Sequence, residues 1–377
     1  MTTPTTQPWD LERALESALA AEADVAEIDV HAAASRLEER LDRSRRTARV
    51  VLAGAAAAAV VLVVLLVQGG PDDRRSAPPA EDDRQGGQVT AVVPQGAGLT
   101  DIGQPVYRVG SDGRTAWVTD QTQRLTGVAL DGGDITTRIE LPGEDGSAFD
   151  VEPVGDLVWV SLRLSNLVVA VDPRTGEVVH QVRTTGDRGP FGMAVDGGDL
   201  WSTAGATLLR IDAATGELLD TIQLPPTTRA YDVAVAGGSV WVTDVGPPFR
   251  VLRYQPGRDR LVPTLLPASP AGIAATADAV WVAMVARPEL LRVDAESGLV
   301  TDRVELPGNG LAVTATGPSV WVGLPEIDQV AEVDARSRRL VRLLQVGSYP
   351  PFARQYGDML LVTSNLGGEL VRVPLGD

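Results

Sequence analysis

The chain has 377 residues, a formal net charge of −17 and no cysteine, which excludes disulfides, thiolate metal sites and cysteine nucleophiles. Such acidity argues against nucleic acid as a partner, since phosphates would meet nothing to neutralise them, and it serves solubility first. All 33 basic residues are arginine, and with abundant Ala, Gly, Val and Asp this reads as the codon bias of a high-GC genome.

Residues 1–8 are rich in Thr, Pro and Gln, a composition that favours disorder. Leu11, Leu15, Ala18 and Leu19 then predict a short amphipathic helix, and Asp29 is a suitable N-cap for a second one, with Val30, Ala34, Leu37 and Leu41 at helical spacing. The first thirty residues hold seven acids and one arginine, whereas 31–49 hold six arginines. So small a segment makes no large core, and its helices need support from elsewhere.

Val50–Val67 is an uncharged run of 18 residues. At 1.5 Å per residue an 18-residue helix is about 27 Å long, close to the roughly 30 Å of a bilayer core. A signal peptide would need a shorter apolar stretch nearer the start and a small-residue cleavage site. The run predicts an uncleaved transmembrane helix over 50–68, with the lipid bilayer as its partner. Arg43, Arg45, Arg46 and Arg49 precede it, while Asp72, Asp73, Arg74 and Arg75 follow. That asymmetry puts 1–49 in the cytoplasm and everything after the span outside it, at the inner (plasma) membrane. Residues 69–87 carry no large apolar side chain and predict a flexible linker.

From 88 to 377 the chain repeats. Trp117, Trp159, Trp201, Trp241, Trp281 and Trp321 are spaced by 42, 42, 40, 40 and 40 residues, each in a short apolar run after a turn, and one more step of 40 reaches Leu361. A period near 40 with strand-like runs predicts an all-β, seven-bladed β-propeller of four-stranded blades. The tryptophans read as wedges between neighbouring blades. Asp172-Pro-Arg-Thr-Gly176, Asp212-Ala-Ala-Thr-Gly216 and Asp294-Ala-Glu-Ser-Gly298 predict hairpin turns in which Asp accepts amide hydrogens and Gly takes positive φ. No calcium-loop spacing accompanies these aspartates. The seventh repeat stops after its third strand, Glu369 to Leu375, and the stretch before the first repeat, from Gln88 to about Tyr107, has one to spare. An N-terminal strand is therefore expected to complete the last blade and close the ring, removing an exposed edge.

Trp159-Val160, the run from Val168 to Val179 with its Asp-Pro-Arg-Thr-Gly, and Gly189-Pro-Phe-Gly-Met-Ala-Val-Asp196 resemble the YVTN-type propeller repeat. More widely, 88–377 resembles the seven-bladed streptogramin (virginiamycin B) lyase-like propellers. The resemblance implies this fold and a place among surface or periplasmic binding proteins; its lyase branch would imply paired histidines, a glutamate and magnesium. The chain has only His31 and His180, so no lyase residue can be carried over. Quinoprotein propellers share the Asp-x-x-Thr-Gly turn but want Trp just after it, which is not found here. The anchor with its acid-then-arginine preface resembles actinobacterial inner-membrane proteins with an extracytoplasmic sensor-like domain.

None of the common nucleophile-elbow, zinc-protease, phosphate-loop or dinucleotide motifs occurs, and His180 is expected on an outer strand, away from any pocket. No metal or cofactor is expected. A ligand should bind at the mouth of the central channel, between the loops after the second strands and the crossovers into the inner strands. The former offer Asp120, Arg163, Asp244, Arg287, Glu326 and Asn365; the latter offer Arg188, Tyr231, Asp232 and Arg354. Arginine, carboxylate and tyrosine together suit a polar small molecule, glycan or peptide, or a protein partner. The expected function is a membrane-anchored, extracytoplasmic propeller that binds, senses or scaffolds without catalysis. Two alternatives stand beside it: a lyase- or hydrolase-like enzyme with a carboxylate/arginine site at the mouth, and a signalling component whose residues 1–49 grip a cytoplasmic partner.

Overall fold

The computed structural model describes residues 89–143, 148–185 and 188–376, all within one compact unit, Ala77–Asp377. The expected helices in 1–49, the span Val50–Val67 and the linker 69–87 lie outside them. Among the described residues no helix is long and apolar enough to cross a membrane.

Seven four-stranded antiparallel sheets follow one another in chain order, covering 106–140, 148–183, 190–223, 230–265, 270–305, 313–345 and 352–374. Within each of blades one to six the strands run inner to outer as a simple meander. Neighbouring inner strands touch all the way round, and the inner strand of blade seven, Phe352–Tyr356, meets that of blade one, Val106–Ser111. Burial explains the sequence pattern. Second strands such as Ser239–Asp244 are covered on both faces and read as apolar runs, whereas outer strands such as Glu177–Arg183 alternate.

Each tryptophan occupies the third position of its second strand and packs into the blade that follows. Trp117 lies with Val151, Val158 and Val160 of blade two, Trp159 with Leu200, Leu209 and Ile211 of blade three, and Trp321 with Leu360, Val362 and Val371 of blade seven. Leu361 fills the same role towards blade one. Several indole N–H groups find acceptors, as in Trp159 Nε1 to Ala213 O at 3.0 Å. The turn aspartates act as their spacing predicts. Asp212 Oδ1 accepts from the Ala214 and Thr215 amides, and Gly176, Gly216 and Gly298 have φ of 76°, 74° and 75°.

A second contact ties blades together nearer the axis. The hydroxyls of Thr119, Ser161, Thr203 and Thr363, two positions after the wedge residue, donate to backbone oxygens of the next inner strand: Phe149, Phe191, Tyr231 and Tyr107.

The ring closes through an N-terminal strand, as expected. Gly98–Asp101 pairs antiparallel with Glu369–Pro374 and becomes the outer strand of blade seven. Ile102 then leads into blade one, whose inner strand starts at Val106. Just before the closing strand, Val92 pairs in parallel with Leu344 on the outer strand of blade six, with Val92 N to Leu343 O and Gln345 N to Val92 O both at 2.9 Å. Thr100 Oγ1 donates to Gly133 O, and Arg372 donates to Leu130 O and Gly132 O of blade one. The stretch 89–101 thus straps blades six, seven and one. Starting the chain at residue 102 should expose an edge strand; size-exclusion chromatography is expected to shift towards larger species and the thermal midpoint to fall. Trp321→Ala should cost about 3–5 kcal/mol without that shift.

Candidate functional site

The first half of each inner strand faces the mouth formed by the crossovers. In blades one to five the pairing with the second strand carries a bulge there, between Val106 and Val109, Ala148 and Val151, Pro190 and Met193, Ala230 and Val233, and Pro270 and Ile273. A bulge re-aims side chains and interrupts the alternation. Three layers of functional side chains follow along the channel.

Nearest the mouth is an aromatic layer. Tyr107, Phe149, Phe191 and Tyr231 occupy equivalent positions in blades one to four, with ring centroids 5.9 Å (Tyr107–Phe149), 5.5 Å (Phe149–Phe191) and 5.6 Å (Phe191–Tyr231) apart. The Arg163 guanidinium lies 5.4 Å over Phe191.

One residue further in, Arg108 of blade one reaches across the ring between Asp232 of blade four at 3.3 Å and Asp150 of blade two at 4.0 Å. It also lies 5.3 Å over Phe149 and 4.8 Å over Phe352. Each aspartate caps the bulge of its own strand and the inner strand of the following blade. Asp150 takes Val151 N and Met193 N at 2.9 and 2.8 Å; Asp232 takes Val233 N and Ile273 N at 3.1 and 3.4 Å. Desolvation pulls the Arg108 pKa down, but Asp232 and Asp150 outweigh it and hold it above the usual value. Burial pushes the Asp232 carboxyl up, against Arg108 and with help from Asp150.

Two residues further, Arg354 of blade seven pairs with Glu152 of blade two, Nη1 to Oε1 at 2.6 Å. At Gly110, in blade one, a Cβ would come within 2.6 Å of Pro153 Cδ of blade two, so the two inner strands pack closely there. Burial raises the Glu152 pKa; Arg354 opposes this and Asp150 adds to it. Tyr356 stands beside the pair, its hydroxyl accepting from Ser111 N at 2.8 Å, and burial raises its pKa to about 12.

Arg108, Glu152, Asp232 and Arg354 border a cavity of about 260 Å³ whose other wall, from blades three to six, carries short side chains such as Ala194, Ala234, Ala275, Thr314 and Ala315. Arg354 remains 29% exposed.

Of the candidates read from sequence, Tyr231, Asp232 and Arg354 come together in the channel, with Arg163 at its aromatic rim. Asp120 is buried and holds its own turn through Thr122 N and Oγ1. Asp244 is buried against Arg229 N, Gly246 N and Arg250. Asn365 Nδ2 donates to Val106 O, linking blades seven and one. Arg287 sits half exposed near Glu289 at 4.0 Å, Glu326 is the exposed middle residue of the 3₁₀ turn Pro325–Ile327, and Arg188 precedes the inner strand of blade three. These six residues do not join the channel cluster. Arg108, Phe149, Asp150, Glu152 and Tyr356 are channel residues that motif reading missed. The available signal was register: Tyr107-Arg108, Phe149-Asp150 and Tyr231-Asp232 align when the repeats are superposed on their tryptophans. His180 lies on the outer strand of blade two, stacked on Trp159 at 6.2 Å.

No protein family matches the chain, and no curated protein does. Solved structures do. A streptogramin B lyase structure superposes with a TM-score of 0.63 at 15% identity, over 73% of this chain and 96% of that one. The WD40 repeats of RRP9 give 0.66 at 11%, over 77% and 100%, and hydrazine synthase from Kuenenia stuttgartiensis gives 0.61 at 15%, over 78% and 99%. Identities this low show the fold alone. The chain is a seven-bladed propeller structurally similar to streptogramin B lyase.

Two measurements follow from the buried charges. Removing Arg108 strands two buried carboxylates, so Arg108→Met should cost about 3–5 kcal/mol at pH 7 in urea unfolding. The loss should shrink as the medium is acidified and the carboxylates protonate. In the parent chain, Asp232 and Glu152 have folded pKa values above their unfolded ones. Their contribution is therefore full below the ordinary carboxylate range, about pH 4, and is lost as pH rises through the raised values. Asp212, Asp294 and Asp334, lowered by backbone hydrogen bonds from Thr215, Ser297 and Ser337, have the opposite sign. Their contribution is lost as pH falls through their lowered values. Stability should thus peak on the acid side of neutrality, and Asp232→Asn should flatten the decline towards pH 7.

Proposed function

We propose that this chain is a non-catalytic binding propeller, tethered to a membrane through Val50–Val67, whose ring stands outside the cytoplasm and takes a small polar ligand into its central channel. One observation carries the reading: a guanidinium–carboxylate pair, Arg354 with Glu152, borders a cavity of about 260 Å³ while Arg354 keeps part of its surface exposed. Charged groups that converge on one side of a hollow whose other side carries short side chains make a ligand site. The fold itself does not choose, since it is found in a lyase, in WD40 repeats and in hydrazine synthase.

A thermal-shift screen of amino acids, small acids, amines, sugars and short peptides tests the binding. A ligand at 100 times its dissociation constant adds about 2.7 kcal/mol. Hits should vanish when Ala275→Leu or Ala315→Leu fills the cavity; hits that persist in both variants would place the ligand elsewhere. The tether rests on the 18-residue apolar run and the arginines before it. The full chain should sediment with membranes and 77–377 should not.

An enzymatic reading has one observation in its favour. Glu152 is a buried carboxyl with a raised pKa near a second carboxylate, Asp150, which suits a general acid. Glu152→Gln separates the two: an enzyme would lose turnover of a bound substrate while still binding it, whereas a binding protein would show no turnover to lose.

A further inference from the structure

The channel carries more than a place to bind; its two walls specify a chemical class. We infer that the ligand is a small zwitterion of the α-amino-acid type with an aliphatic side chain. Its carboxylate would lie on Arg354, its ammonium on Glu152 and its hydrocarbon part against the alanine and valine wall. This rests on the channel being the binding site.

Charge placement comes first. Glu152 uses Oε1 for Arg354, and Arg354 uses Nη1 for Glu152. Oε2 on one side and Nη2 with Nε on the other are left for a third party, an acceptor and a donor side by side. A carboxylate suits the planar donor fork of arginine and an ammonium suits the remaining carboxylate oxygen. A molecule carrying both at the spacing of one carbon lies antiparallel to the ion pair and meets each pole.

Charge balance points the same way. Two guanidiniums, Arg108 and Arg354, face three carboxylates, Asp150, Asp232 and Glu152, and burial raises the pKa of two of them. A lone anion would add to the excess of carboxylates, and a lone cation would meet Glu152 but leave the remaining donors of Arg354 without an acceptor. A ligand carrying both poles does neither.

The opposite wall supplies the rest. Blades three to six offer Ala194, Ala234, Ala275 and Ala315, with Val195 and Val235, so the hydrocarbon part finds room among short side chains. The volume, about 260 Å³, falls just under the roughly 300–1,000 Å³ usual for ligand pockets, which fits an amino acid and excludes a nucleotide-sized molecule.

The test is calorimetric titration of the full-length chain with leucine, N-acetylleucine and isoamylamine, which carry both charges, the carboxylate only and the ammonium only. Leucine is expected to bind at least about ten-fold more tightly than either analogue. Its binding should be lost in Ala275→Leu or Ala315→Leu, and weakened in Arg354→Lys, which keeps the charge and loses the fork. Equal binding of either analogue overturns the zwitterion assignment, and so does leucine binding untouched by both filling variants. If none of the three binds, the assignment falls as well. The channel reading then survives when another ligand from the screen is blocked by the filling variants, and falls when no ligand is.

Discussion

Closure of the ring is the constraint on which everything else depends. A four-stranded blade has one face to cover on each side, and only a neighbour on both sides covers them. The seven wedges, six tryptophans and Leu361, each fill the gap to the following blade, so the last wedge needs the first blade to be in place. The strap 89–101 provides this by giving blade seven an outer strand that arrives from the other end of the chain. Because Val92 also pairs with blade six, and Thr100 and Arg372 reach blade one, the closing segment secures three blades at once.

Closure leaves a problem at the axis. Seven inner strands present unpaired backbone edges around a hole too wide for small side chains to fill and too narrow for bulk water to solvate freely. The chain handles the two halves of the hole differently. Towards the mouth, four aromatic rings and the Arg108 cluster fill it, and the aspartates of that cluster also bind the bulge amides that no ladder satisfies. At the level of Glu152 and Arg354 the facing blades carry Ala194, Ala234, Ala274 and Thr314, and the hole stays open. A buried charge cluster is a poor way to gain stability compared with apolar packing. In this chain the cluster borders an unfilled cavity and at the same time holds bulge amides in place.

The architecture was legible because it repeats. A tryptophan every 40 or 42 residues, Asp-x-x-Thr/Ser-Gly turns and a missing last strand are statements about spacing, and spacing survives in a single sequence. Even the departure at Asp334-Ala-Arg-Ser-Arg338, where arginine takes positive φ in place of glycine, follows the same turn. The site was legible only in part. Tyr231, Asp232 and Arg354 were read as crossover residues and stand in the inner strands Ala230–Ala236 and Phe352–Tyr356. Arg108 and Asp150 stand at the depth of Asp232, and Glu152 at that of Arg354, on strands where alternation predicts burial and the bulge changes which side chains face the axis. A bulge leaves no mark in one sequence except through comparison of repeats in register.

The same logic explains the polar residues that end the second strands. Asp120 and Asp244 follow a Trp-Val-Thr run in matching positions, and both are consumed by the hairpin that follows: amides, a hydroxyl and, for Asp244, the Arg250 guanidinium. Asn365, one residue later in its blade, is consumed by a carbonyl of blade one. Loops at a propeller mouth need such caps because the strands stop there while their backbone groups still require partners. On the axial side the inner strands have an edge that no strand pairs with, and Asp150 and Asp232 supply part of what it needs by accepting from the Val151, Met193, Val233 and Ile273 amides. Arg354 and Glu152 cap no turn and pair with each other across the channel instead.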